Sequence, residues 1–255
     1  MKKADPSVMA HFDYKDSPYP IREDIGETLR AFWARLAAAG SWWTGDERVK
    51  IAAECRAARD CAFCKTRQEA LSPYTGENNH GAVTDLPASA VDAVHRIVTD
   101  QTRITRNWIE GNAAGDLSIE KYVELAGIVV AVLSIDEFNR ALGVPFEPLP
   151  EPVAGEPDRY VPANLETGTG FVPMIAADGA VGNESDLWSP NFAANVIRAL
   201  SLVPNAVRDW VDLAGALYLN PAGMANFVGQ DDRSIDRAQM EIVAGRVSSY
   251  NECFY

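Results

Sequence analysis

The sequence predicts an all-α protein, and three observations predict it. Apolar residues recur at helical spacing through most of the 255 residues, several of these runs open on a capping residue, and no stretch alternates like a convincing strand. One region breaks the pattern. Between Val144 and Pro190, prolines at 145, 148, 150, 152, 157, 162 and 173, with glycines between them, leave little room for regular structure.

The elements follow in order. Ile25, Leu29, Phe32 and Leu36 line a first helix that Gly40 is placed to end. Thr44 and Glu47 form a capping box that opens a second, through "DERVKIAAECRAARD". Asp60 is expected to cap a third, from Cys61 to about Leu71, and the polar loop "SPYTGENNHGAVTD" follows it. Val91, Val94 and Val98 line a helix after Pro87, and Ile104 and Trp108 line another. Ser118 caps a long apolar helix closed by Gly143 and Pro145. Its apolar run, Leu125 to Ile135, is too short to span a bilayer.

These helices make residues 21–145 a helical module. Residues 146–190 read as an ordered connector or wrapping arm, because Tyr160, Phe171, Val172 and Met174 are too apolar for a free linker. Helical pattern resumes in residues 191–255, through "NVIRALSLVPNAVRDWVDLAGALYL" and "SIDRAQMEIVAGRVSSYNEC". The last segment weakly repeats the second helix: with Cys253 aligned on Cys61, Ile51 meets Val243, Ala52 meets Ala244, and the caps Thr44 and Asp236 coincide.

Composition narrows the partners. A net charge of −13 opposes binding to a nucleic-acid backbone or an anionic membrane, both of which need surplus Lys and Arg. The opening residues lack a secretory apolar run, so a cytoplasmic location is expected and the four cysteines are expected reduced.

Chemistry concentrates in "RDCAFCKTR". Cys61 and Cys64, spaced i, i+3 at a helix start, share one face, and first-turn amides with the helix dipole stabilise a thiolate. One sulfur can then attack a substrate while the other resolves the product as a disulfide. The bland alternative is two small buried residues packed between helices. A zinc set of Cys55, Cys61, Cys64 and His80 is disfavoured because Cys55 sits mid-helix and His80 in a loop, so no metal and no cofactor is expected. His95 reads as a hydrogen-bonded core histidine that would reach Cys64 only if its helix packs there, and His80 as a solvated loop residue; His11 receives no role. Glu47, Lys50 and Glu54 read as a solvated stripe with a Lys50–Glu54 pair, Glu54 being an outside candidate for proton transfer. Glu124 reads as a structural hydrogen-bonding group, and Trp42, Trp43 and Trp108 as core or interface aromatics.

On these residues, and on "YVELAGIVVAVLSIDEFNRALGVP" downstream, the chain resembles the alkylhydroperoxidase D family of the carboxymuconolactone decarboxylase superfamily. The family motif is Glu, eleven residues, Cys-x-x-Cys, three residues, His. The resemblance implies a helical homo-oligomer that reduces peroxides or exchanges disulfides with a protein or small-molecule thiol as reductant. It implies Cys64 as the attacking thiol, Cys61 as the resolving one, and a Glu–His relay for protons. Val49 and Gln68 stand where the motif Glu and His belong, so the first module keeps the dithiol without that relay. In the second, Glu241 lies twelve positions before Cys253, which makes both candidate catalytic residues, and the next motif Cys would fall at position 256. A shortened sequence, a degenerate module, or a selenocysteine at 256 each accounts for that ending. Two other functions are compatible with the superfamily: a non-redox enzyme acting on a small organic acid through residues such as His95 and Glu124, and a non-catalytic helical subunit.

Overall fold

The computed structural model describes residues 11–71, 80–188, 193–226, 233–251 and 253. Most of the predicted loop (72–79), Glu252, Phe254 and Tyr255 lie outside the described residues. The protein is mostly helical, as its periodicity predicts. Helices α1 (Glu23–Ala37), α2 (Gly45–Ala57), α3 (Ala62–Glu69), α4 (Ala88–Thr99), α5 (Arg106–Ala113) and α6 (Ile119–Leu142) occupy the first part. After the proline-rich stretch come α7 (Asn195–Arg198), α8 (Pro204–Leu217), α9 (Pro221–Ala225) and α10 (Arg237–Tyr250).

Local chemistry sets the helix ends. Thr44 and Glu47 exchange both bonds of a capping box at α2, and Asp236 and Gln239 do the same at α10. Ser118 accepts from the Lys121 amide at the start of α6, and Gly143 ends it at φ 72°, where a side chain would be strained. Asp60 does not cap α3. It is the last residue of a short 3-10 turn over 58–60, and Cys61 itself holds the extended capping position without a side-chain cap bond.

Packing puts α6 at the centre, against α2, α4, α5 and α8, while α2 also contacts α1 and α4. Leu29, Phe32, Leu36, Trp43, Ile51, Val94, Leu125, Val129 and Ile135 form its buried core. Each such side chain contributes roughly 1.5–3 kcal/mol by leaving water. The proline-rich stretch lies along this core: Pro148 accepts from the Trp33 indole at 2.9 Å, Val153 donates to Ala37 at 2.8 Å, and Arg159 donates to Ser41 at 2.9 Å. One short strand pair departs from the expectation of none, with Leu165–Glu166 (β1) antiparallel to Met174–Ile175 (β2). Two residues per strand are too few to leave an alternation in the sequence. The apolar pattern after Asn195 also breaks in two, because Pro204 cannot continue a helix and instead starts α8. Among the described residues no helix is long and apolar enough to cross a membrane.

Candidate active site

The helices α2, α3 and α4 meet around the two sulfurs. Cys61 ends the connection from α2, and Cys64 lies in the first turn of α3. They are buried at 6% and 1% exposure. Cys61 accepts hydrogen bonds from the Cys64 and Gly81 amides, the arrangement a helix start provides.

Two histidines close on the sulfurs from the other side. His95 of α4 is fully buried, and its Nδ1 lies 3.2 Å from Cys64 Sγ. His80, in the connection before α4, sets its Nδ1 3.5 Å from Cys64 Sγ and 3.7 Å from Cys61 Sγ. The rings stand 4.3 Å apart, and Phe63 meets His80 edge-on. His80 is therefore no solvated loop residue: its side chain is 4% exposed.

Each histidine is backed by a carboxylate. Glu54 Oε2 lies 3.2 Å from His95 Nε2, and its Oε1 accepts from the Val83 and Thr84 amides and the Thr84 hydroxyl at 2.7–2.9 Å. Asp92 Oδ1 lies 2.9 Å from His80 Nε2 and accepts from Arg67 at 2.8 Å; Oδ2 accepts from Arg96 and from the Trp108 indole. The predicted exposed stripe on α2 is corrected here. Lys50 pairs with Asp46 and Asp85, while Glu54 is completely buried.

This network sets the charges. Burial disfavours the Cys64 thiolate, but hydrogen bonds from His80 and His95 outweigh it and lower the thiol to about 5. Cys61 is lowered in the same way, amide and His80 bonds overcoming its burial. Burial disfavours charged His80, yet Asp92 and the two sulfurs raise it to about 10. His95 is raised against its own burial by Cys64 and Glu54. Asp92 is held well below the carboxylate range, its burial overcome by His80, Arg96 and Arg67. The two histidines thus favour the Cys64 thiolate, and the thiolate in turn favours their charged forms.

The remaining candidates lie elsewhere. Cys55 faces the Val129 carbonyl, burial raises its thiol to about 12, and it lies outside the donor cluster of Cys61, Cys64, His80 and His95, so the Cys55-containing zinc set is not assembled. Glu241, on α10, bonds Tyr218 and Arg237, and Cys253 is exposed beyond that helix. Neither belongs to the four-residue cluster of Cys61, Cys64, His80 and His95. Glu124 accepts from Arg48 and from the Trp42 amide, and it lines a cavity of about 380 Å³ between α1, α2, α6 and α8. His95 does not line that cavity, so the two polar residues expected to share a pocket are separate.

His80, Glu54 and Asp92 are the site residues that sequence reasoning placed wrongly or passed over. A signal for Glu54 was present: it sits three residues after Ile51 and four before Ala58, both fully buried, on one helical face. Comparison with family models, with curated proteins and with solved structures found no match to this chain.

Proposed function

We propose that the protein is a thiol-dependent oxidoreductase of alkylhydroperoxidase-like type, in which Cys64 attacks a peroxide and Cys61 resolves the product. One observation carries the reading: Cys64 Sγ lies against two histidines, each with its far nitrogen on a buried carboxylate. Nucleophile, base and orienting group stand in the sequence that an activated thiol requires. The groups that Val49 and Gln68 fail to supply have counterparts here in Glu54 and His95.

The Cys64 thiolate displaces an alkoxide from the hydroperoxide, forming a sulfenic acid and breaking the O–O bond. Imidazolium His95 delivers the proton that makes the alkoxide an alcohol, and Glu54 holds the ring in register. The Cys61 sulfur then attacks Cys64, the sulfenic oxygen leaves as water, and a disulfide remains. Two equivalents of an external thiol reduce it, becoming a disulfide in turn. A homo-oligomeric assembly and the alkylhydroperoxidase D-like arrangement of residues 21–145 belong to the same reading.

Peroxide consumption by the reduced protein tests it. Adding an alkyl hydroperoxide should produce the Cys61–Cys64 disulfide, read by mass as loss of two hydrogens, and Cys61→Ser should trap a dimedone-reactive sulfenic acid on Cys64. Unchanged thiols after prolonged exposure would sink the assignment. Because Cys64 is only 1% exposed, the side chains over it must move for the peroxide to enter, and a bulkier hydroperoxide should react more slowly.

A further inference from the structure

We propose that Cys61, Cys64, His80 and His95 form a tetrahedral site for a divalent zinc-like cation when the thiols are reduced. The inference goes beyond the thiol chemistry and does not require it. The four donor atoms lie within 4.8 Å of one another. Zinc bonds of about 2.3 Å to sulfur and 2.0–2.1 Å to nitrogen place tetrahedral S and N donors about 3.5 Å apart. Three of the four sulfur–nitrogen separations are 3.2, 3.5 and 3.7 Å.

The surroundings point the same way. Both histidines aim Nδ1 at the sulfurs and place Nε2 against a carboxylate. A carboxylate at Nε2 keeps the proton there, so a metal that displaces the Nδ1 proton finds that lone pair aimed at it; metal-bound histidines are held in this way. Each carboxylate is itself anchored, Glu54 by two backbone amides and Asp92 by Arg67 and Arg96. The donors come from the start of α3, from the connection before α4 and from α4 itself, so they are fixed by the packing of separate elements.

Two thiolates and two imidazoles are a borderline-soft set that suits zinc and fills all four positions. A site closed by four protein ligands leaves no vacancy for a substrate, so the ion would act as a cross-link and a cover for the nucleophile. Metal and peroxide therefore compete for Cys64.

Titration of the reduced full-length protein with Co2+ and with Zn2+ tests the site. About one Co2+ per chain should bind, with the intense ligand-field bands of a tetrahedral ion and thiolate-to-cobalt charge transfer, and Zn2+ should bleach both. Asp92→Asn and Glu54→Gln should each weaken affinity about 10- to 100-fold. His11→Gln, far along the chain and paired with Glu147, should bind as the parent does. A weak six-coordinate spectrum without charge transfer would overturn the proposal, even if variants failed to fold, because it is read on the parent protein. Equal affinity in a folded His95→Ala variant would also overturn it. Disulfide formation with peroxide but no metal uptake would sink the metal site alone, and metal uptake without a disulfide would sink the redox reading alone.

Discussion

Helices α2 and α10 start alike and end in different surroundings. Both open on a capping box, and their sequences align so that Cys61 meets Cys253. Around α2, Glu54 and Cys55 are buried and the following turn leads into the dithiol. On α10 Met240 is the buried side chain, while Ile242, Val243, Val247 and Tyr250 are strongly exposed. Glu241 forms surface bonds with Tyr218 and Arg237, whereas Glu54 forms buried bonds with His95 and the 83–84 backbone. Capping signals and apolar spacing can be shared between two segments that differ in chemistry. Reactivity at sulfur depends on what packs over it, and that comes from elements distant in sequence.

The contrast can be broken at its strongest point by Cys64→Ser, which should abolish peroxide-dependent disulfide formation and leave Cys61 as a lone thiol. Loss of product should be complete by mass analysis; a disulfide formed instead between Cys61 and another cysteine would move the nucleophile out of α3. Next in size, Glu54→Gln should slow the peroxide reaction by about 10²–10⁴, the range lost with a positioned acid–base group. Stopped-flow rates in metal-free protein would show it, and a change under tenfold would remove Glu54 from the relay.

A smaller effect sharpens the electrostatic side. Cys64 is lowered from 9.0 to about 5, so its contribution to stability is complete above pH 9.0 and lost as pH falls through 5. His80 is raised from 6.5 to about 10, so its contribution is complete below pH 6.5 and lost as pH rises through 10. Together they stabilise the reduced, metal-free protein most between pH 6.5 and 9.0. The gap between the denaturation midpoints of parent and Cys64→Ser should widen as pH rises from 5 to 9.0 and close as pH falls through 5. A difference independent of pH would mean the sulfur packs as a neutral group. The smallest effect belongs to α10: Glu241→Gln should change stability by less than about 0.5 kcal/mol, as exposed substitutions do. It should leave the rate of Cys61–Cys64 disulfide formation unchanged, and a marked slowing would bring the second half into the reaction.

Much of the scaffold was legible in the sequence because its signals are local. Caps at Thr44, Ser118 and Asp236, the glycine after α6 and the spacing of Ile25, Leu29, Phe32 and Leu36 all act within a few residues. The dithiol was legible for the same reason. Its partners were not, since His80 and His95 reach Cys64 across 16 and 31 residues and Glu54 reaches His95 across 41. Periodicity tells which face of a helix turns inward. It does not tell which neighbour that face will meet, so a buried carboxylate beside Lys50 was read as half of a surface pair.

One carboxylate ties the two histidines together. Glu54 uses one oxygen to tether the segment at Val83 and Thr84, just beyond His80, and the other to steer His95. Shortening that side chain would slacken both grips at once. The two imidazoles therefore cannot drift apart in alignment independently, and whatever disturbs the latch should be felt on both sides of the sulfur.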